Sequence, residues 1–290
     1  MVCWNHYANY RYAYVDGSVL LSSTIDGVTR FRPPIGPRNK ALMAELYHLA
    51  HKVSGLRPIV LMDTATAMWV KDALGPAEII QDIDQAEYVY RTSDLADLPN
   101  GMYHSTRRQL SRFKRNYAYT VEPYSPEKGE EAREFLLDWC EWKQNLDDPI
   151  LTNEKDALLY AIDHFAELEL SGLLIRVDGR IGAMSIFEPL NADTALVHFE
   201  KGRPDCEGIY KAINQETAAA LKGRFEFINR ESDLGIPGLR EAKQRYHPHH
   251  MVDVYSMKGV SCCESLCACE YFSCLREASS MVSRCLSKPI

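Results

Sequence analysis

The sequence predicts an α/β protein of mixed α+β organisation, in which a sheet carries helices on both faces. Two patterns support this fold class: the start of the chain contains β-rich segments joined by Asp-Gly dipeptides, and the later part alternates strand and helix patterns. Hairpins together with βαβ units indicate a sheet with both antiparallel and parallel neighbours. The 290 residues, 46% of them hydrophobic, suit one large domain or two modest ones with real cores.

The first part of the chain begins with a predicted three-stranded meander over residues 12–36. Asp16-Gly17 and Asp26-Gly27 separate its strands, and Asp-Gly suits a tight hairpin turn because both central positions take positive φ. Apolar side chains at helical spacing predict a helix over residues 40–53. The other predicted elements of this part are a strand at 58–62, a helix at 64–74, a strand at 87–91 and a helix at 104–117.

The later part begins with a predicted strand at 119–124. Two helices follow at about 126–146 and 153–168. The remaining predicted elements are a hairpin of strands 172–177 and 180–187, a strand at 194–199, a helix at 208–221, a strand at 225–228, a helix at 238–246 and a strand at 251–255. This order predicts a mixed sheet with helices on both faces.

The overall charge and the absence of several motifs exclude some classes of function. With 33 Lys and Arg against 40 Asp and Glu, the net charge of −7 predicts a surface that mostly repels polyanions. No segment approaches the ~18 consecutive apolar residues of a membrane helix, and the first residues lack the pattern of a secretory signal. We therefore expect a cytoplasmic protein without a transmembrane segment.

Neither G-x-x-x-x-G-K-[ST] nor G-x-S-x-G occurs, so nucleotide and serine hydrolysis lack support.

The predicted helix at 104–117 reverses the charge of the chain locally. It contains no acid and five basic residues, which are Arg107, Arg108, Arg112, Lys114 and Arg115. A stripe of like charge on one helix face repels itself, so it usually faces a polyanion or an acidic patch. Two interpretations stay open here: binding of the phosphates of RNA, coenzyme or lipid, or a solvated face paired with local acids.

A dense polar segment follows the predicted strand at 225–228. Asn229, Glu231 and Asp233 lie at this strand end, which is where α/β sheets bind ligands. The next predicted helix adds Lys243 and Tyr246, which lie one turn apart and can orient a substrate or shuttle a proton. The alternatives are a turn that caps the helix and a set of surface salt bridges.

The junction from His198 to Gly208 is a third candidate region, because a strand–loop–helix junction presents backbone N–H groups to an anion. Glu200 and Lys201 point to opposite faces if the strand continues, so one can contact substrate while the other supports the fold. Cys206 directly precedes the helix, where a thiolate is stabilised. The spacing provides no base for it, so a catalytic role of this cysteine is disfavoured.

The end of the chain is rich in cysteine, with six of the nine between Cys262 and Cys285. Their spacing does not match the paired C-x2-C pattern of zinc sites. We expect a disordered extension over residues 259–290 and no metal site. The alternatives are a redox role and a metal site completed by His247, His249 and His250.

Four stretches of the sequence resemble the phosphatidylglycerol lysyltransferase C-terminal-domain family, over roughly residues 4–257. They are residues 90–99, the basic helix, residues 198–216 and, most specifically, the block from Ile228 to Lys243 with Tyr246-His247-Pro248. The resemblance implies two tandem GNAT-like (acyl-CoA N-acyltransferase) domains related to the Fem-type aminoacyltransferases. We place these domains at residues 1–117 and 118–258.

The resemblance also implies an enzyme that moves an aminoacyl group from aminoacyl-tRNA to an amine or hydroxyl acceptor, on a phosphatidylglycerol-type lipid, a small molecule or a peptide. The five basic helix residues would bind the tRNA, with peripheral membrane contact as a further expectation. Glu231, Asp233 and Tyr246 would be catalytic, whereas Glu200, Lys201, Asn229 and Lys243 would bind substrate. No cofactor is expected beyond the donor substrate. The alternatives are an acyl-CoA-dependent N-acyltransferase and a non-enzymatic domain whose Cys-rich tail binds a metal or partner.

Overall fold

The computed structural model describes residues 2–54, 57–143, 149–258 and 288–289, and the chain divides into two compact units. The first contains the described residues up to Gln85 and those from Asp253 onwards, and the second runs from Ala86 to Val252. The predicted boundary between residues 117 and 118 therefore lies inside the second unit, because the strand and basic helix before it pack on later elements. Apart from residues 288–289, the predicted tail lies outside the described residues.

The elements of the described residues follow the predicted alternation. In chain order, the helices are α1 (Asn5–Ala8), α2 (Lys40–Ser54), α3 (Thr64–Leu74), α4 (Thr92–Asp97), α5 (His104–Asn116), α6 (Gly129–Lys143), α7 (Pro149–Asp163), α8 (Ile209–Leu221) and α9 (Pro237–Gln244). The strands are β1 (Arg11–Val15), β2 (Ser18–Ile25), β3 (Val28–Phe31), β4 (Ile79–Gln81), β5 (Glu87–Arg91), β6 (Tyr119–Pro123), β7 (Ser171–Val177), β8 (Arg180–Pro189), β9 (Thr194–Gly202), β10 (Phe227–Ser232), β11 (His250–Val252), β12 (Tyr255–Met257) and β13 (Lys288–Pro289). The sequence pattern does not predict α1, α4, β4 or β13, and β13 forms inside the tail that the sequence predicts to be disordered.

The first unit contains an antiparallel sheet in the order β13–β1–β2–β3 and a separate β4–β12 pair. Both Asp-Gly turns form as predicted, with φ of 49° and 77° at Asp16 and Gly17 and of 49° and 75° at Asp26 and Gly27. Positive φ at both central positions matches the twist of the paired strands. These two turns therefore fix the register of the meander.

The predicted strand at residues 58–62 does not form as a strand. Only single bridges occur there, from Ile59 to Phe31 and from Met62 to Tyr255. Ile59 and Met62 of this segment are nevertheless buried in the core of the first unit. The apolar residues of this segment reflect its packing against the core. An apolar run does not show whether the segment also pairs with a neighbouring strand.

The second unit is built on a seven-stranded sheet in the order β11–β5–β10–β9–β8–β7–β6. Neighbouring strands are antiparallel except for β9 and β10, which are parallel. Apolar residues of α4, α5 and α8 join the sheet in one core cluster. The opposite face contacts α6 and α7, where the Trp139 indole donates to the Gly202 carbonyl at 3.1 Å. This is the mixed sheet with helices on both faces that the sequence predicts.

Candidate functional site

The parallel strands β9 and β10 stop pairing halfway along their length. Their ladder covers only three residue pairs, from Phe227–Thr194 to Asn229–Leu196, although β9 continues to Gly202 and β10 to Ser232. We call the region of unpaired strand beyond Leu196 and Asn229 the wedge. It lies at the carboxyl ends of parallel strands, where sheets of this kind bind ligands.

Irregular backbone on both strands shapes the wedge. The β8–β9 pairing shifts between Ile186 and Phe187, which leaves His198 as an extra residue on β9. On β10 the pairing with β5 shifts between Asn229 and Ser232. Glu231, inside that shift, has a left-handed φ of 58°. Bulges and strained residues of this type re-aim side chains and concentrate at functional sites.

On the face of the sheet that α8 covers, an ion pair joins the two strands across the wedge. The guanidinium of Arg230 contacts the carboxylate of Glu200, and Asn214 of α8 donates to the same carboxylate at 3.4 Å. Arg230 also lies 5.2 Å from the ring centroid of Tyr246 and 5.9 Å from that of Tyr90. Burial alone would lower the pKa of Arg230, but the charge of Glu200 raises it. The guanidinium therefore stays charged.

Lys211 is the exceptional group of this face. Its ammonium lies 4.5 Å from the ring centroid of Tyr246 and forms no hydrogen bond or ion pair with the described residues. Burial first, and then the charge of Arg230, lowers the pKa of Lys211 to about 8. Two buried side-chain oxygens nearby in the fold also lack partners among the described residues: Asn214 Oδ1 and Ser185 Oγ, which lies opposite Glu200 in the β8–β9 register. A ligand or a water molecule in the wedge could satisfy these buried oxygens.

On the other side of the wedge, a histidine lies between two carboxylates. His198 Nδ1 is 2.9 Å from Glu231 Oε1, and its Nε2 is 2.8 Å from Glu188 Oε1. Burial alone would lower the pKa of His198, but the two carboxylates raise it above its ordinary value. Asn229 fixes this arrangement, because its Oδ1 accepts from the Glu231 backbone at 2.8 Å and its Nδ2 donates to Glu87 at 2.6 Å.

Two residues predicted for the site are fully engaged in holding the backbone. Asp233 accepts from the Tyr88 hydroxyl at 2.6 Å, from the Gly235 N–H at 2.9 Å and from two nitrogens of Arg240 at 2.7 and 2.8 Å. Arg240 is the main reason that the pKa of Asp233 falls to about 2. A carboxylate this acidic and this saturated is a poor proton acceptor, so the geometry opposes the catalytic role predicted for it.

Lys243 has a comparable supporting role. Its ammonium donates to three consecutive backbone carbonyls of β10, at 2.6 Å to Arg230, 3.0 Å to Glu231 and 2.5 Å to Ser232. An ammonium has three donors, so none remains for a substrate. These hydrogen bonds satisfy carbonyls at the irregular end of β10, where the pairing with neighbouring strands is interrupted.

The remaining predicted site residues lie on opposite faces of the seven-stranded sheet. Lys201 lies on the α6–α7 side, buried, with its ammonium 2.6 Å from Glu154 and 4.2 Å from the Trp139 ring centroid. Glu200 thus belongs to the wedge and Lys201 to the opposite core, as the alternation of a strand requires. Tyr246 contributes its ring to the wedge, and burial raises the pKa of its phenol, so the group stays protonated.

The basic helix α5 divides into engaged and unengaged cations. Arg107 donates to the carbonyls of Leu98 and Asn100, and thereby holds the α4–α5 loop. Arg112 pairs with Glu207, and Lys114 lies 4.0 Å from Glu216. Arg108 and Arg115 are exposed and have no charged partner among the described residues. Pairing with local acids therefore holds for part of the stripe, and anion binding by the other cations stays a prediction.

Helix α5 packs against the junction that precedes α8. A Cβ on Gly208, whose φ is +90°, would lie 3.0 Å from Gln109 O and 3.0 Å from Phe113 Cβ, so only glycine allows this approach. The Tyr117 hydroxyl accepts from the Glu207 N–H and donates to the Asp205 carbonyl, both at 3.2 Å. Tyr117 thus occupies one N–H and one carbonyl of the junction.

Cys206, in the same junction, is buried, and burial raises the pKa of its thiol. A buried protonated thiol is a weak nucleophile, in agreement with the disfavoured catalytic role.

The described residues show neither a metal cluster nor a membrane-spanning helix. Among them, no group of three or more His, Cys, Asp and Glu side chains is placed to hold a metal ion. His249 contacts Arg91 and His250 instead. The six cysteines proposed as alternative ligands lie outside the described residues. No helix in the described part of the chain is both long and apolar enough to cross a bilayer.

Sequence reasoning missed Lys211, Arg230, His198 and Glu188 as site residues. One signal was available: Lys211 lies in the first turn of α8, where no acid offsets it and where the helix dipole disfavours a cation. A lysine held there against the dipole indicates a role other than helix stability.

In the mixed sheet, the parallel strands β9 and β10 splay apart, polar groups lie across the gap, and a helix follows β9. This arrangement defines a GNAT-like α/β protein and confirms the predicted fold class. The chain belongs to the family described as phosphatidylglycerol lysyltransferase, C-terminal, whose model matches residues 1–258. This membership confirms the resemblance seen in the sequence and supports an acyltransferase.

Three solved structures are similar to this chain. A conserved protein of unknown function from Bacteroides thetaiotaomicron VPI-5482 is 28% identical with a TM-score of 0.82, over 89% of this chain and 88% of that one. L-PGS from Bacillus licheniformis is 14% identical with a TM-score of 0.58, over 96% and 89% of the two chains. FemX is 11% identical with a TM-score of 0.52, over 87% and 86%. The last two show a shared fold alone. No curated protein sequence matched the chain.

Proposed function

We propose that this protein transfers an aminoacyl group from aminoacyl-tRNA to an amine or hydroxyl acceptor. The packing of α5 against the α8 junction carries the proposal. It leaves Arg108 and Arg115 without charged partners among the described residues, and it engages the Glu207 N–H and the Asp205 carbonyl with the Tyr117 hydroxyl. A polyanionic donor gains phosphate contacts from such a helix, whereas a coenzyme A pyrophosphate bound at the junction would compete with Tyr117 for the Glu207 N–H.

The wedge contains the groups that such a transfer requires. An aminoacyl ester is already activated, so the protein has to position two substrates and move one proton, without a covalent intermediate. Lys211, with a pKa of about 8, is suited to accept the proton that the attacking amine or hydroxyl loses. Glu231 is the second candidate for this role, on the other side of the wedge and paired with His198. The acceptor, the amino acid transferred and the cytoplasmic location are expectations from the sequence alone.

Filter binding with charged tRNA tests the donor. The double variant Arg108→Gln with Arg115→Gln should weaken tRNA binding. It should also reduce the slope of log Kd against log salt concentration by about 1.5, because each lost phosphate contact lowers that slope by about 0.7–0.9. Arg180→Gln, at an exposed position of the same unit, is the matched control and should leave both unchanged. An unaltered salt slope in the double variant would show that α5 does not contact the donor.

Transfer assays test the wedge. With charged tRNA and either phosphatidylglycerol vesicles or a small amine as acceptor, Lys211→Met should lower kcat about 100-fold and abolish the rise of activity towards pH 8. Lys222→Met, at the end of the same helix, is the control. If the pH profile keeps its shape in Lys211→Met and changes in Glu231→Gln, the proton acceptor is Glu231. Stabilisation of the protein by coenzyme A and not by tRNA would instead identify an acyl-CoA enzyme.

A further inference from the structure

A cavity of about 460 Å³ lies within the first unit. Its charged lining consists of Arg32, Arg38 and Asp63, and its apolar lining includes Leu61, Met62 and Trp69. None of these residues belongs to the wedge. The size and the mixture of apolar wall with a few polar groups are typical of small-molecule sites.

The central cation of this cavity has no carboxylate partner among the described residues. Arg32 makes one long side-chain hydrogen bond, from Nη1 to Ser23 Oγ at 3.4 Å. Burial lowers the pKa of Arg32, which shows how little solvent compensates its charge. Arg32 is partly buried, and arginines withdrawn from water are usually paired. An unpaired guanidinium that lines a cavity is a binding group for an anion.

The other charged groups leave the cavity with an excess of positive charge. Arg38 lies 5.8 Å from the ring centroid of Trp69 and contributes a second guanidinium. Asp63 is the opposing carboxylate, but its Oδ1 already accepts from the Thr66 N–H at 2.7 Å and so caps α3. Tyr10 and Arg30 are the remaining titratable groups that act on Arg32.

The walls are rigid and include one strained residue. The segment after β3 contains Pro33 and Pro34, and Ile35 exchanges two 2.9 Å hydrogen bonds with Val19 of β2. On the opposite side Leu61, a bulky residue, has a left-handed φ of 57°. Strain of this kind persists only where the surrounding structure fixes the residue, and strained residues are enriched at ligand sites. A rigid, preformed site costs little conformational entropy on binding.

We propose that this cavity binds a small organic anion, with a carboxylate or phosphate paired to Arg32 and Arg38 and an apolar body packed against Trp69 and Leu61. The ligand chemistry follows from two guanidiniums beside an aromatic and aliphatic wall, since the planar fork of arginine fits both kinds of anion. The site is independent of the proposed transfer reaction, because it shares no residue with the wedge or with α5.

Isothermal titration calorimetry of the full chain at constant ionic strength, with inorganic phosphate, phenyl phosphate and benzoate as probes, tests the proposal. At least one of the two aromatic probes should bind with one-to-one stoichiometry. Arg32→Gln should weaken that binding about tenfold or more and Arg38→Gln about threefold, because a charge-assisted pair is lost in each. The preferred probe distinguishes a carboxylate ligand from a phosphate.

Arg57→Gln is the matched control, since Arg57 belongs to the same unit, does not line the cavity and pairs with Asp82. It should bind the probe as the wild type does. Arg38 is exposed, so its variant keeps the test available if Arg32→Gln fails to fold. Absence of binding by both aromatic probes, or equal affinity in the wild type and the arginine variants, would overturn the proposal.

Discussion

Two lysines of the second unit, Lys243 and Lys211, have the same lowered pKa and different surroundings. Burial lowers the pKa of each to about 8. Lys243 donates to three carbonyls of β10, whereas Lys211 has an aromatic face at 4.5 Å and no hydrogen-bond acceptor among the described residues. The difference teaches that a shifted pKa does not identify a functional group by itself. What separates the two lysines is whether their donors are already used.

Replacing each lysine by methionine gives the largest expected contrast. Lys243→Met leaves three partly buried carbonyls without this donor. It should lower the free energy of unfolding by about 3 kcal/mol, because each unsatisfied group costs about 1–3 kcal/mol. Lys211→Met removes a charge that no acceptor compensates and should not destabilise the protein. Urea unfolding of both variants at pH 7 makes the comparison. Equal losses would show that Lys211 also supports the fold.

Asp233, which holds the same strand end as Lys243, provides the second contrast. Its pKa of about 2 lies below the ordinary value of 3.8. Since the folded state resists its protonation, the stability it contributes is fully present above about pH 4 and is lost as the pH falls towards 2. The loss should be about 2 kcal/mol. Unfolding curves from pH 5 to 2 should show this loss in the wild type and not in Asp233→Asn, and parallel curves would contradict it.

The smallest effect concerns Lys211 alone. Its folded pKa of about 8 lies below the ordinary 10.5, so the unfolded state binds the extra proton between these values and stability rises with pH there. At pH 7 the difference between these pKa values corresponds to about 3 kcal/mol. The lost contact with the Tyr246 ring offsets about 1–2 kcal/mol of this, so Lys211→Met should be about 1–2 kcal/mol more stable than the wild type at pH 7. The gap should close as the pH rises from 8 to 10.5. Lys222→Met, at an exposed and paired lysine, should show no such closing gap.

Local patterns in the sequence predicted the elements well and the chemistry less well. Asp-Gly turns fixed the meander, and helical spacing located α2 and α3, because these signals depend on neighbours along the chain. The splay of β9 from β10 depends on which strands pair, which no local pattern encodes. For the same reason the sequence placed Lys243 and Asp233 in a pocket, although their hydrogen bonds are to the β10 backbone and to Arg240 and Tyr88.

The basic helix shows the same limit. Its five cations are equivalent in sequence, but Arg107 holds backbone carbonyls while Arg108 is exposed and without a charged partner among the described residues. Only the surroundings of each side chain separate the two. The charge pattern therefore located the helix and could not rank its residues.

The glycine at the start of α8 has a mechanical consequence. Gly208 lets α5 touch the helix one turn before Lys211, and one turn of helix spans only about 5 Å along its axis. Because α5 and the start of α8 are in contact at Gly208, a shift of α5 would also displace the turn that carries Lys211. A ligand that binds to α5 and shifts it should therefore change the pKa of Lys211.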